Sequence, residues 1–105
     1  MSFVVYNVSL ELVREIAPIV PVIKKHDRDL ADQLRRAATS VVLNINDGSG
    51  RAGGDRRRSF EIAAGSAREV LAALDTCAAW GWIVADQPAR ELVDRVLAML
   101  WRLTH

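Results

Sequence analysis

The sequence is short of most features that mark a catalyst, a secreted module or a membrane protein. Its one cysteine, Cys77, excludes a disulfide within the chain and suits a reducing compartment. Its two histidines, His26 and His105, lie far apart, and no His/Cys/carboxylate group has metal-ligand spacing, so neither metal nor cofactor is expected. With three prolines and 50% hydrophobic residues, the chain is too apolar and too unbroken to be disordered. No apolar run approaches the roughly 18 residues of a membrane span. No basic segment precedes the early acidic Glu11 as a signal peptide would require, so a cytoplasmic location without membrane partners is expected. Neither sign of charge dominates: fourteen Lys+Arg stand against thirteen Asp+Glu, a formal net charge of +1. Any case for nucleic acid must therefore rest on local clustering.

Catalytic groupings are also missing. Ser40, Ser59 and Ser66 have no evident base, and Glu61, Glu69 and Asp75 are spaced so that the three do not share a helix face. Cys77 falls on an apolar face and reads as a small buried hydrophobe. Trp80, Trp82 and Trp101 sit where core or interface packing is expected. The chain is not expected to be an enzyme.

What is present is helical periodicity. The 105 residues form one domain, 1–105. Residues 1–6, MSFVVY, read as an apolar lead-in before a cap at Asn7 or Ser9. From Val8, the positions Leu12, Val13, Ile16, Ala17, Val20 and Ile23 make a first amphipathic helix. Pro18 and Pro21 interrupt it. Either the helix is kinked there or it ends near Ala17; the kink is favoured, because Ile19, Val20, Val22 and Ile23 still need burial.

Asp27 offers an acceptor to a second helix from about Asp29 to Asp47. That helix has a core stripe of Leu30, Leu34, Ala37 or Ala38, Val41 and Ile45, and Gly48 serves as a left-handed stop. A third helix, about Arg56 to Trp80, is capped by Asp55 and turns Phe60, Ala63, Ala67, Val70 or Leu71, Leu74 and Cys77 or Ala78 inward. Gly81 stops it, and Trp80, Trp82 and Ile83 close that end of the core. Asp86-Gln87-Pro88 starts a fourth helix carrying Leu92, Val93, Val96, Leu97, Leu100 and Leu103, with a Glu91–Arg95 pair on its surface. Four helices with short connections predict an all-α, antiparallel up-down-up-down four-helix bundle. Half the residues being apolar in so small a chain predicts that some apolar surface enters a subunit interface.

The joint between the second and third helices, Asn44–Arg58, concentrates the unusual residues. Gly48-Ser49-Gly50-Arg51-Ala52-Gly53 matches GxGxxG, but a helix precedes it where a dinucleotide fingerprint needs a strand, so it reads as a turn. Arg56, Arg57 and Arg58 occupy the first turn of a helix, where cations oppose the macrodipole. Arg57 can pair with Glu61. Together with Arg51 they are the candidate nucleic-acid contacts, able to hold a phosphate; the plainer reading is a solvated loop whose arginines contact acidic groups on a neighbouring subunit.

LRRAATSVVLNINDGSGR from Leu34, followed by SFEIAAGSAREVLAALD and a later GWI, resembles the bacterial four-helix-bundle proteins encoded in intervening sequences of large-subunit ribosomal RNA genes. Relatives of that family include the accessory variability determinant of diversity-generating retroelements. The matching positions are Gln33, Arg35, Arg36, Ala37, Ser40, Asn44, Ile45, Gly48, Gly50 and Arg51, then Ala63, Gly65, Ser66 and Glu69. The chain departs at Asn46-Asp47, where the family usually has Ala-Glu, and lacks the usual Phe-Pro…Glu before the second helix. The resemblance implies a bundle that assembles with itself into a ring, commonly a pentamer. In the retroelement relatives it implies a strongly basic barrel that engages a reverse transcriptase and RNA or DNA. This chain is near neutral.

The motif reads physically as a structural joint. Asn44 would bond backbone at the helix end and Asp47 would sit by the stop. Arg51 would reach back to Asp47 or Glu69, while Gly65 and Ser66 would remove bulk where the helices meet. Arg36, Gly48 and Gly50 complete the set.

Overall fold

The computed structural model describes residues 2–105, with side chains described from residue 4. Among the described residues all regular structure is helical, in five elements: α1 (Ser2–Ile16), α2 (Ile19–Lys24), α3 (Arg28–Ser49), α4 (Gly53–Ala79) and α5 (Pro88–Thr104).

The first helix starts earlier than its composition suggested. Val5, Val8, Leu12 and Ile16 are all buried at three- and four-residue spacing, so burial of that stripe overrides the β-rich composition of the first residues. Neither Asn7 nor Ser9 caps anything. Ser9 lies inside α1 and its hydroxyl donates to the Tyr6 carbonyl at 2.6 Å. The expectation for Met1 falls outside the described residues.

At the prolines the favoured kink gives way to a break. α1 ends at Ile16, Ala17-Pro18 forms a turn, and α2 begins at Ile19. Pro18 and Pro21 each lack a donor, so two backbone bonds are missing within four residues. Pro18 itself keeps helical angles (φ −73, ψ −18), which lets α2 resume and bury Ile19 and Ile23.

Asp27 caps α3 as expected, its Oδ1 accepting from the Leu30 amide at 2.9 Å. The other end differs. Gly48 is not a left-handed stop: it lies within α3, and a Cβ there would meet the Phe60 ring at 2.6 Å. Its smallness admits Phe60, which is fully buried. Gly50 takes the cap position instead, at φ −91 and ψ 0.

α4 begins at Gly53 behind an extended Ala52, so Asp55 sits in the first turn rather than at the cap, where its charge favours the helix dipole. Gly81 does end this helix, at φ +82, a conformation that favours glycine. Trp82 and Ile83 pack against the core, but Trp80 does not close it and is 67% exposed. Pro88 opens α5 with Gln87 at the cap, and Arg90 bonds Asp75 across to α4; no Glu91–Arg95 ion pair forms among the described residues.

α3 packs against α4, α4 against α5, and α1 against both α3 and α5, with α2 lying on α3. One core cluster draws on all five helices, and the molecule measures 42 × 22 × 19 Å. Burying one of its large aliphatic side chains contributes about 1.5–3 kcal/mol.

Candidate functional site

The polar residues of the family-like motif form two tiers of hydrogen bonds between α3 and α4. In the first tier, Asn44 Nδ2 donates to the Ser40 carbonyl at 2.9 Å and to Ser40 Oγ at 3.0 Å, and Ser40 Oγ meets Ser66 Oγ at 2.8 Å. In the second, Arg51 Nε bonds both oxygens of Asp47 at 3.0 Å, and Ser59 Oγ donates to Asp47 Oδ2 at 2.5 Å. Seven residues forward on α3, from Ser40 to Asp47, match seven residues back on α4, from Ser66 to Ser59. The two helices therefore run antiparallel here, and each step is two helical turns, which keeps every donor on the shared face.

Asn44 bonds backbone one turn upstream, not at the helix end. Arg51 chooses Asp47 and not Glu69, which lies exposed further along α4 beside Leu30 and Gln33. The Ser59 hydroxyl, followed by the Arg51 guanidinium, holds the Asp47 carboxyl below its ordinary range, and Asp47 in turn raises Arg51. Gly50 and Arg51 close the turn through their amides to the carbonyls of Asp47 and Gly48.

Gly65 does not provide the close approach assigned to it: a Cβ there would meet nothing within 4 Å. That role belongs to Gly48. Arg36 is exposed and lines a shallow groove on α3 with Leu43 and Asn44. Ser59 is the residue that sequence reasoning missed. Its signal was present in the seven-residue interval to Ser66, which puts both hydroxyls on one face.

The four arginines do not form one free patch. Arg51 is held by Asp47, Arg57 stands 3.8 Å from Glu61, and the Arg56 guanidinium lies over the Phe60 ring at 4.9 Å from its centroid. Arg58 lines a cavity of about 250 Å³ with Asn44, Asp55 and Ile62. Two large apolar side chains flank this polar seam: Leu43 is 61% exposed and Ile62 45%.

Cys77 is fully buried, and burial, with Asp27 adding to it, pushes its thiol pKa up. Among the described residues no group of three or more His, Cys, Asp or Glu could hold a metal ion, and no helix is long and apolar enough to cross a membrane.

A family model for the 23S rRNA-intervening sequence protein matches residues 1–102. The chain belongs to that family. No curated protein and no solved structure matches it. The match covers α1 to α4 and all but the last two residues of α5, so the family-like motif on α3 and α4 is set in a chain related over nearly its whole length.

Proposed function

We propose that this member of the intervening-sequence family is a non-enzymatic, homo-oligomeric scaffold. Its α1–α2 pair, α3, α4 and α5 act as the four legs of an antiparallel up-down-up-down bundle. The observation that carries the reading is the α3–α4 face. Leu43 and Ile62 stand exposed on either side of a seam whose hydroxyl and amide groups are already bonded to one another. The bonded hydroxyls and the Asn44 amide N–H groups lose little by leaving water, and the face gains by covering two large aliphatic side chains, provided the half-exposed Asp47–Arg51 pair stays at the solvated rim. A ring of copies, with five as the size the family resemblance implies, would cover it, in the cytoplasm and away from membranes.

Light scattering coupled to size exclusion tests this. The wild-type chain is expected above the monomer mass at micromolar concentration, and Leu43→Glu with Ile62→Glu is expected to return it to the monomer. A wild-type monomer throughout that range would sink the proposal.

A second reading gives the scaffold a nucleic-acid partner, RNA or DNA, as an accessory to a reverse transcriptase. It is supported by Arg57 and Arg58, which are exposed in the opening turns of α4, where a helix gains nothing from cations. A salt titration comparing wild type with an Arg57→Ala, Arg58→Ala chain separates it from the first reading, because these two exposed side chains take no part in the seam and only the partner affinity should change.

A further inference from the structure

A second candidate feature, separate from the Asn44–Arg58 joint, lies in the groove between α4 and α5. Its cavity, about 380 Å³, has Phe60, Ala64 and Leu97 among its apolar walls. Trp101 stands at its edge and is 62% exposed. One face of the indole is covered: the His105 ring stacks on it with centroids 4.4 Å apart and planes 9° from parallel. The His105 ring is itself held, its Nδ1 lying 3.0 Å from the Trp101 carbonyl and 3.1 Å from the Thr104 hydroxyl. The indole is thus packed on one side, and a ring stacking on it would add to a stack already begun.

Two cations neighbour the indole, one across the groove and one next to it in the chain. Arg68 lines the groove from α4 and Arg102 follows Trp101 on α5. Neither has a hydrogen bond or ion pair among the described residues. The one acid lining the groove, Glu61, already has Arg57 at 3.8 Å. An exposed aromatic face with an uncommitted guanidinium across the groove and another next in the chain suits a ligand that is flat and aromatic at one point and anionic on either side of it. A nucleotide unit of a single strand has that chemistry; in a duplex the base faces are stacked inside.

We infer that the α4–α5 groove binds single-stranded nucleic acid by stacking a base on Trp101 and placing flanking phosphates on Arg68 and Arg102. The site uses neither of the two arginines of the second reading above and does not depend on self-association.

The test is fluorescence anisotropy of labelled single-stranded RNA and DNA oligonucleotides of roughly ten residues, against the full chain at low salt. Trp101→Ala is expected to weaken binding about tenfold or more, with Trp101→Phe retaining much of the affinity. Arg68→Ala with Arg102→Ala is expected to lower the slope of log affinity against log salt by about one to two units. Trp80→Ala, at the opposite end of α4, should change nothing. Undetectable binding, unchanged affinity in Trp101→Ala, or a duplex bound as tightly as a single strand would each overturn the inference. So would affinity lost only with Arg57→Ala and Arg58→Ala, a result that would leave the second reading standing. If Trp101→Ala instead changes the oligomeric mass and leaves oligonucleotide affinity alone, the groove is a subunit contact and the inference fails.

Discussion

A methyl group at Gly48 would have to displace the Phe60 ring, whose Cε1 lies 2.6 Å from where it would sit, whereas the same change at Gly65 meets open space. Gly48→Ala is therefore expected to destabilise the chain by about 1–3 kcal/mol despite alanine's better helix propensity. Gly65→Ala is expected to stabilise by about 0.5–1 kcal/mol. Urea unfolding of the two variants side by side decides the matter, and equal effects would contradict the packing described. Asp47 makes a second residue-scale prediction. Its folded pKa is lowered from the ordinary 3.8 by Ser59 first and Arg51 second, so its contribution to stability is present above that value and is lost as pH falls through the folded one. Between about pH 5 and pH 3, Asp47→Asn should lose stability less steeply than wild type, with Ser59→Ala between the two. Parallel urea midpoints against pH for all three chains would refute this.

At the scale of the element, the start of α3 rests on one side chain. Asp27→Ala removes the acceptor for the Leu30 amide and is expected to cost about 1 kcal/mol, read as a shift in the thermal midpoint. This cap was legible because Asp followed by an apolar period has one simple meaning. So were the inward stripes of α3, α4 and α5, since Leu34, Val41, Ile45, Phe60, Val70, Leu74, Val93, Val96 and Leu100 are all buried where periodicity places them. The ends of helices were less legible. Gly48 has the sequence signature of a stop, but a glycine needed for tight packing has the same signature, and only the position of Phe60 tells the two apart. Gly65 was misread for the converse reason. The α1 start was missed because a short β-branched run says nothing about what it will be buried against. In the joint, the pairing of Arg51 with Asp47 was available from i,i+4 spacing, but the choice of Ser59 and Ser66 as partners from α4 required the antiparallel register.

For the whole molecule, exposed apolar surface is spread over several helices: Val4, Val22, Leu43, Ile62, Trp80, Val84 and Trp101 are all large and open to solvent. If copies associate through the α3–α4 face, association adds to stability by mass action, so the thermal midpoint is expected to rise with protein concentration in wild type and to lose that dependence in Leu43→Glu with Ile62→Glu. A midpoint independent of concentration in wild type would count against the ring. The whole molecule also carries its own clock. Cys77 is the only thiol and is fully buried on the inner face of α4, with its reactivity further held down by its raised pKa. A thiol reagent can reach it only when α4 lifts from its neighbours. The labelling rate of the unaltered protein therefore reports those openings, and its dependence on urea separates transient breathing of the bundle from its complete unfolding without any engineered probe.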